Sequence, residues 1–371
     1  MSRPKLLFLV TEDWYFVSHR LPLAVAARDA GFQVAVAARE GGQGRVIRDA
    51  GLGFIPFALS RRGGNPLQEI LGLVHLYRDQ RPDIVHHVAL KPVLYGTMAA
   101  RLAGVPHMVN AIAGLGWLFI SGSVAARLAR GIVLVLLGRL LAAAGNRTIV
   151  QNLDDLALLV RAGVPTDRLH MIRGAGVDTT VFAPGETPAA PVTVVLAARM
   201  LWDKGVGEFV AAARQLLEEG ITARFVLVGE PDPANPASVK EADLCAWNEQ
   251  GIVEWWGRCD DMPAILKLAH IACLPSYREG LPKSMLEAAA CGLPIVTTDT
   301  PGCREVVRDW DNGFLVPVRD SGALAKALRT LINDAELRRI MGERSRARAL
   351  EEFSQARVTE ETLAVYRECL A

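Results

Sequence analysis

Two carboxylates beside a turn-forming segment are the first candidates for chemistry in this sequence. Glu279 stands directly before Gly280-Leu281-Pro282, and Glu287 follows eight positions after Glu279 in an apolar, helix-forming stretch. Gly280 permits close approach of the backbone, and Pro282 suits the first turn of a helix, whose free amides attract anions. The two acids can therefore accept hydrogen bonds from hydroxyl groups at separate points along one elongated, anionic ligand.

Two cations upstream complete this candidate site. Arg199 and Lys204 are five positions apart and follow the apolar run Val192–Ala198, which predicts a β-strand. An arginine fork and a lysine point charge at the carboxyl end of a strand suit a diphosphate. A ligand whose diphosphate binds the two cations and whose hydroxyl groups bind the two acids has the chemistry of a nucleotide sugar. The alternative is a capped helix with two surface acids, and two cations that are merely solvated.

The predicted elements that position these residues alternate between β-strands and α-helices. Short apolar runs alternate with longer amphipathic segments, and the Pro- and Ala-rich stretch Phe182–Pro191 interrupts the alternation once. We therefore expect an α/β protein with two tandem doubly wound, Rossmann-like domains that face each other across a cleft. The expected divisions are residues 1–183 for the first domain, 184–191 for a linker, 192–349 for the second domain and 350–371 for a C-terminal helix that returns to the first domain.

The individual elements are assigned from apolar runs and amphipathic spacing. The predicted strands are Lys5–Val10, Gln33–Ala38, Gly53–Pro56, Ile84–His87, His107–Ile112, Arg147–Gln151, Val192–Ala198, Arg224–Val228, Ile252–Trp256, Ile271–Pro275 and Ile295–Thr298. The predicted helices are Leu21–Ala30, Gly44–Ala50, Pro66–Gln80, Pro92–Ala103, Val124–Ala144, Gly205–Glu219, Asp261–Leu268, Lys283–Cys291 and Ser321–Asn333, followed by terminal helices within residues 335–370.

Composition excludes several classes of protein. Among 371 residues, 41 basic and 40 acidic side chains give a net charge of +1, which argues against a dedicated nucleic-acid binder. Hydrophobic residues at 51% and charged residues at 22% are typical of a globular protein and not of a disordered, collagen-like or coiled-coil chain. The six cysteines form no C-x-x-C pair, so we expect buried thiols in a reducing compartment and no zinc site.

Two features of the sequence bear on association with a membrane. No run of 18 apolar residues predicts a membrane span, and the apolar run Leu6–Val10 is too short for a secretory signal. However, no acidic residue occurs between Asp83 and Asp154, and the apolar segment Trp117–Ile120 precedes a helix, Val124–Ala144, that carries several arginines. Such a helix suits an anionic membrane interface, but it is equally compatible with an ordinary amphipathic helix that packs on its own sheet.

The donor-site residues together carry a resemblance to a known family. The sequence resembles the donor site of family GT4 glycosyltransferases, which have the GT-B fold. The likeness lies in Arg199 and Lys204 and, further along, in Glu279 and Glu287 within the motif Glu-Gly-Leu-Pro…Leu-Glu-Ala…Gly-Leu-Pro. The first half is similar to a bacterial subgroup that extends glycans on polyprenyl-diphosphate carriers. The segments that carry this likeness are Ser18-His19-Arg20-Leu21-Pro22, Lys91–Gly96 and Asn110–Gly116.

The resemblance implies a reaction and a separate role for each residue of the donor site. A hexose or N-acetylhexosamine would pass, with retention and without a metal or other cofactor, from a nucleotide-diphosphate sugar to a lipid-linked or other saccharide acceptor. UDP is the expected nucleotide, and the expected location is the cytoplasmic face of the membrane, in contact with anionic lipid. Arg199 and Lys204 would hold the donor diphosphate, Glu279 the sugar hydroxyls with the Gly280–Pro282 backbone nearby, and Glu287 the ribose.

The acceptor side departs from the family pattern at two places. The expected loop after the first strand, Thr11–Phe16, stands where many members carry a glycine pair, and Ala113 stands where many carry an active-site histidine. Among the nearby residues, His19, which is expected to open the first helix, is a candidate to take part in proton transfer. His87 and Lys91, at and after the predicted strand Ile84–His87, are further candidates. His19, Arg20 and Lys91 are the candidates to bind the acceptor.

Two other functions fit the same architecture. One is a nucleotide-sugar epimerase, although no suitable acid/base set is evident in the sequence. The other is a non-catalytic protein that binds a nucleotide sugar or glycan carrier and supports a second transferase. Turnover by the purified protein alone separates a transferase from the non-catalytic partner.

Overall fold

The computed structural model describes residues 3–60, 64–115, 124–186 and 189–371. The chain divides into two compact units, Met1–Ala175 with Ala356–Ala371, and Gly176–Gln355. Each unit is built around its own parallel sheet, which confirms the predicted α/β class with two doubly wound domains.

The first unit has a seven-stranded parallel sheet in the order β3-β2-β1-β4-β5-β6-β7. Its strands are Lys5–Glu12 (β1), Gln33–Arg39 (β2), Gly53–Pro56 (β3), Ile84–Val88 (β4), His107–Ile112 (β5), Asn146–Val150 (β6) and Leu169–Met171 (β7). Its helices are Asp13–His19 (α1), Leu21–Asp29 (α2), Gly44–Asp49 (α3), Pro66–Gln80 (α4), Leu90–Ala103 (α5), Val124–Leu141 (α6) and Leu153–Arg161 (α7), with a 3₁₀ turn at Thr166–Arg168. The predicted segment Trp117–Ile120 lies outside the described residues.

The second unit has a six-stranded parallel sheet in the order β10-β9-β8-β11-β12-β13. Its strands are Val192–Ala197 (β8), Ala223–Val228 (β9), Glu254–Trp255 (β10), Ile271–Leu274 (β11), Ile295–Thr298 (β12) and Gly313–Val316 (β13). Its helices are Val206–Glu218 (α8), Glu241–Glu249 (α9), Met262–Lys267 (α10), Lys283–Ala290 (α11), Cys303–Val306 (α12), Ser321–Asn333 (α13) and Ala335–Glu352 (α14), and Trp202–Lys204 forms a 3₁₀ turn. The last helix of the chain, Gln355–Leu370 (α15), begins at the end of this unit and lies almost wholly in the first.

The division between the units lies before the predicted one, which ended the first domain at residue 183. Residues 176–183 group with the second unit because they bond to the end of α14: Val177 donates its amide to Phe353 O at 2.9 Å and accepts from Gln355 N at 2.9 Å. The Arg346 guanidinium adds hydrogen bonds to the carbonyl oxygens of Thr179 and Phe182 at 2.9 and 2.8 Å. The segment that was predicted to be a free linker also groups with the second unit.

Helix α15 packs into the core of the first unit. Its buried residues, among them Val358, Leu363 and Tyr366, belong to the same apolar cluster as strand β1. The Tyr366 hydroxyl is hydrogen-bonded to His86 Nδ1 on β4 at 2.5 Å, and the His86 ring stacks on Phe8 of β1. Two central strands of this unit, β1 and β4, are thereby tied to the last helix of the chain.

Candidate functional site

The Arg199–Lys204 loop leaves the carboxyl end of β8, which pairs with β11 in the middle of the second sheet. Strands β8 and β11 are adjacent although β9 and β10 lie between them in sequence, so their following loops meet at one edge. Gly205 ends the first loop with φ +75°, and a Cβ at this position would overlap the Pro275 carbonyl oxygen. The absence of a side chain at Gly205 therefore lets Lys204 approach the loop after β11.

Lys204 and Glu279 form an ion pair at this edge. Nζ of Lys204 lies 2.5 Å from Oε1 of Glu279, and both side chains are largely buried, with 20% and 11% of their surface exposed. The Glu279 loop is itself held closely, because a Cβ at Gly302, which has φ +78°, would overlap the carbonyl oxygen of Gly280. The structure thus brings together a cation and an acid that are 75 residues apart in the sequence.

Further hydrogen bonds connect the two loops. Tyr277 N donates to Asp203 O at 2.9 Å, and the Tyr277 hydroxyl donates to Glu208 Oε1, in the first turn of α8, at 2.7 Å. Burial, with the Glu208 carboxylate as a second cause, raises the pKa of Tyr277 to about 12, so its hydroxyl remains a donor at neutral pH. The Arg319 guanidinium covers the Tyr277 ring at 4.6 Å. The sequence assigns no role to Tyr277, Glu208 or Arg319, since no motif connects the three residues.

Arg199 is bound to a carboxylate that no sequence motif indicates. Its Nη1 donates to Asp232 Oδ2 at 2.9 Å, and Asp232 stands in the loop after β9. The guanidinium is 46% exposed, whereas the carboxylate is 15% exposed. Arg199 and Lys204 therefore both lie at the carboxyl edge of the sheet, and each is paired with an acid.

Glu287 is buried within α11. Helix α11 begins after Pro282, which is its N-cap and not a residue of its first turn. Glu287 has 8% of its surface exposed and pairs one turn away with Lys283, with 3.2 Å between Nζ and Oε1. Burial raises the pKa of Glu287, and the nearby Lys283 ammonium opposes this shift only in part. Within the described ranges, no three or more His, Cys, Asp or Glu residues are grouped so as to hold a metal ion.

His19 ends a short helix and Arg20 follows it, and the start of this helix falls where a loop was predicted. Thr11–Phe16 was expected as a loop, but β1 extends to Glu12 and α1 begins at Asp13. The buried Asp13 carboxylate stabilises this arrangement by accepting hydrogen bonds from two backbone amides of the loop after β2, Gly41 N and Gln43 N. His19 therefore ends α1 instead of opening a helix, and its ring stacks on Tyr15 at 4.3 Å.

Arg20 connects the two short helices α1 and α2. It is the N-cap of α2, and its side chain is buried, with 4% exposure. Its Nε has no hydrogen-bond partner in the described part of the chain. Arg20 thus places a positive charge in the interior, near enough to the buried His86 and Tyr366 to act to lower the pKa of each.

Lys91, at the start of α5, lies among oxygen atoms. Its ammonium is 2.6 Å from Glu69 Oε2 of α4, and it donates to Ser60 O and Ser60 Oγ at 2.8 and 2.7 Å. The Glu69 carboxylate also accepts from the Ser60 amide and hydroxyl, and these contacts hold the pKa of Glu69 below its ordinary value even though burial acts to raise it. Any anionic ligand at Lys91 must therefore compete with these oxygens.

His87 is part of a fully buried polar network. Its Nδ1 donates to Asn110 Oδ1 at 2.8 Å, and its Nε2 accepts from the Tyr77 hydroxyl at 3.0 Å. Asn110 donates in turn to Asn146 Oδ1 at 3.0 Å, so the network crosses β4, β5 and β6. Burial lowers the pKa of His87 to about 4, which keeps the ring neutral. Gly96 is required beside it, because a Cβ there would lie 2.5 Å from the ring.

Ala113 is the first residue after β5, and Gly114 follows with φ +96°. The chain therefore turns immediately after the strand. Ala113 carries no proton-transferring group at this point, so a catalytic base must come from another residue or from the substrates.

Two family models match the chain in order along the sequence. Residues 5–139 match the model described as "Glycosyl transferase 4-like", and residues 191–334 match "Glycosyl transferases group 1". The second match contains Arg199, Lys204, Glu279 and Glu287.

Among similar proteins is an N,N'-diacetylbacillosaminyl-diphospho-undecaprenol α-1,3-N-acetylgalactosaminyltransferase of Campylobacter jejuni. It is 29% identical over 336 residues, which cover 86% of this chain and 87% of that protein. A UDP-Gal:α-D-GlcNAc-diphosphoundecaprenol α-1,3-galactosyltransferase of Escherichia coli is 25% identical, with 78% and 76% of the two chains covered.

Solved structures show the same fold. HepE of Anabaena, in complex with UDP and glucose, superposes with a TM-score of 0.80 at 18% identity and covers 98% of this chain and 99% of its own. The glycosyltransferase WaaG superposes with a TM-score of 0.69 at 15% identity, with 96% and 98% covered. Because both halves match glycosyltransferase models and the fold is that of GT-B enzymes, the chain belongs to the GT4-type glycosyltransferases.

Proposed function

We propose that this enzyme transfers a hexose or N-acetylhexosamine from a UDP-sugar to a polyprenyl-diphosphate-linked saccharide, with retention and without a metal, in the synthesis of a bacterial surface glycan. The buried Lys204–Glu279 pair is the observation that carries the donor assignment. The activities of the C. jejuni and E. coli relatives support the class of acceptor. The UDP bound in the HepE complex supports the nucleotide.

The donor-site residues have separate roles in this proposal. Cleavage of the anomeric bond leaves negative charge on the diphosphate and positive charge on the sugar ring. Arg199 and Lys204 stabilise the departing diphosphate, and because they are already fixed by acids they need little reorganisation as the bond breaks. Glu279, fixed by Lys204, accepts hydrogen bonds from the sugar hydroxyls, and Glu287 accepts those of the ribose.

The acceptor is proposed to bind to the first unit through Arg20, His19 and Lys91. Arg20 is a buried cation, so an anionic group that reaches it would gain a strong, weakly screened interaction. His19 is the candidate proton-transfer group, and Lys91 would contribute once a phosphate oxygen replaces one of its present acceptors.

Contact with an anionic membrane surface, at the inner face of the cytoplasmic membrane, is proposed for helix α6. Ile132, Val135 and Leu136 expose 67%, 53% and 41% of their surface, whereas Leu137 and Leu141 on the opposite side are fully buried. Apolar side chains on one helix face, with arginines in a segment that lacks acids, suit the headgroup region. None of the helices in the described part of the chain is long and apolar enough to cross a membrane.

Turnover by the purified protein tests the function. The donor panel consists of UDP-, GDP-, ADP- and dTDP-sugars, first in thermal shift assays and then with a polyprenyl-diphosphate-linked saccharide as acceptor. Transfer from a UDP-sugar, with the anomeric configuration kept and the rate unchanged by EDTA, is the expected result. Interconversion of the sugar without an acceptor would identify an epimerase. Binding without turnover would favour the non-catalytic alternative.

The membrane contact is tested separately with Ile132→Asn/Leu136→Asn. Sedimentation with phosphatidylglycerol vesicles should decrease in this variant, and the wild-type protein should bind weakly to phosphatidylcholine vesicles. Leu67→Asn is the matched control, since Leu67 is 66% exposed on helix α4. Equal sedimentation of all three proteins would remove α6 from the proposal.

A further inference from the structure

The loop after β9 folds back onto the loop that carries Arg199. Met200 N donates to Glu230 O at 3.0 Å, Trp202 N to Ala237 O at 2.8 Å, and Val239 N to Met200 O at 2.9 Å. These hydrogen bonds connect residues 230–239 with residues 200–202. The two loops are therefore held together at the carboxyl edge of the sheet.

The path of this loop is fixed where it leaves the strand. Gly229 has φ +139°, and a Cβ there would overlap the carbonyl oxygen of Ala198, the residue before Arg199. Gly229 N donates to Gly257 O at 2.7 Å. Further along, the Asp232 amide donates to Ser238 Oγ at 2.9 Å, which closes the loop around Asp232. The carboxylate is thus held by its backbone at a set position beside Arg199.

Asp232 engages only one edge of the Arg199 guanidinium. Its Oδ2 accepts from Nη1, and this is the one hydrogen bond that the Arg199 guanidinium makes within the described residues. A planar guanidinium presents five N–H groups, so further donors of Arg199 remain for a phosphate oxygen. The carboxylate, at 15% exposure, is more buried than the guanidinium that it fixes. Its charge is therefore less screened by water than that of an exposed surface acid.

We infer that Asp232 is a positioning residue that determines how strongly the enzyme holds the diphosphate. This inference rests on the proposed function, in which Arg199 contacts the donor diphosphate. Asp232 has two opposing effects. As a hydrogen-bond acceptor it fixes the guanidinium in the orientation that the leaving diphosphate needs. As a negative charge it lowers the affinity of the site for that diphosphate. A moderate affinity for the diphosphate favours release of the nucleotide product after each transfer.

Two variants separate the effects. In Asp232→Asn the amide oxygen still accepts from Nη1, but the negative charge is gone. The Kd values for UDP and for inorganic diphosphate, measured by calorimetry, should each decrease about 3- to 10-fold. Asp232→Ala removes the acceptor as well, so the guanidinium is no longer oriented. Its kcat should decrease about 10-fold or more, while its Kd for UDP stays within about 3-fold of wild type.

Glu336→Gln is the matched control, because Glu336 also pairs with an arginine, Arg339, at 2.6 Å, but on the exposed surface of α14. It should bind and turn over like the wild-type enzyme, and all variants should share the wild-type unfolding temperature. If Asp232→Asn and Asp232→Ala both bind UDP and diphosphate as the wild type does, or both bind them equally weakly, the inference is wrong. If the wild-type enzyme binds neither ligand, the donor-site assignment itself fails.

Discussion

Lys204 and Glu279 form a 2.5 Å ion pair between two loops that are 75 residues apart in the sequence. The pair is possible because β8 and β11 are neighbours in the sheet and because Gly205 allows the loops to touch. Both side chains are mostly buried, so removal of either leaves the other with an unpaired charge. Removal of one partner should therefore cost more stability than removal of one partner of a surface ion pair.

The first prediction concerns this pair. Lys204→Ala and Glu279→Gln should each decrease kcat/KM for sugar transfer about 100- to 1000-fold, since each removes a fixed group that stabilises developing charge. The double variant should lose less than the product of the single effects, because the two residues act as a unit. Steady-state kinetics with the donor sugar measures these losses. Lys326→Ala on the exposed side of α13 is the control, and full additivity would show that the two residues act separately.

The second prediction concerns recognition of the ribose. Glu287→Gln should raise the donor KM with a smaller effect on kcat, and it should reduce discrimination between UDP-sugar and its 2'-deoxyribose analogue. The wild-type KM should rise as the pH falls through the raised pKa of Glu287, since protonation removes one acceptor. This rise should begin at a higher pH than an ordinary glutamate would give, and it should be absent in the variant. An exposed acid variant, Glu343→Gln, should keep the wild-type profile.

The third prediction concerns acid stability. Burial lowers the folded-state pKa of His87 to about 4, below the value of about 6.5 for an exposed histidine. The unfolded chain therefore binds a proton first as the pH falls, so stability is full above about pH 6.5 and is lost between that pH and 4. The loss from His87 alone is about 2 kcal/mol at pH 5. Burial lowers the pKa of His86 too, which adds to the effect.

Urea unfolding at pH 7.5 and pH 5 measures this dependence. His87→Gln should be less stable than the wild type at pH 7.5, because the buried network is broken, but its stability should fall less between the two pH values. The exposed His75 provides the control variant, His75→Gln, which should keep the full wild-type decrease. An unchanged pH dependence in His87→Gln would exclude His87 as its source.

Much of the fold follows from the sequence because buried parallel strands form apolar runs. Gly53–Pro56, His107–Ile112 and Ile295–Thr298 are found with the predicted bounds. Two short strands, Leu169–Met171 and Gly313–Val316, were not predicted; the first has only three residues, and the polar His170 interrupts its apolar pattern. Helix α9 was missed for a related reason: Leu244 is its one fully buried residue, so it has no continuous apolar face.

The candidate site was predictable in one part only. Residues on neighbouring motifs, such as Lys204 and Glu279, meet because the order of strands in a doubly wound sheet brings their loops together. The pairing of Arg199 with Asp232 depends instead on the exact path of an eleven-residue loop, residues 229–239, which no periodicity encodes. In the same way, Lys91 pairs with Glu69 on a preceding helix, a contact that the spacing in sequence does not indicate.

The fourth prediction tests whether the close approach of the two donor loops is needed for catalysis. Gly205→Ala and Gly220→Ala both place a side chain at a positive φ, +75° and +82°, so each should lose about 1 kcal/mol of stability from the backbone conformation alone. At Gly220 nothing lies within 4 Å of the new Cβ, whereas at Gly205 the Cβ overlaps the Pro275 carbonyl oxygen. The Lys204 loop must therefore move away from Glu279 only in Gly205→Ala.

These two glycine variants separate backbone strain from displacement of the loop. Gly220→Ala should retain wild-type kcat/KM, whereas Gly205→Ala should lose about 100-fold or more, because a shift of about 1 Å in a positioned group has effects of this size. Chemical unfolding gives the stability of each variant, and donor kinetics at a temperature where both are folded gives the activity. Equal activity of the two variants would mean that the Lys204–Glu279 contact tolerates loop movement, and the site would then be less preorganised than its short ion pair indicates.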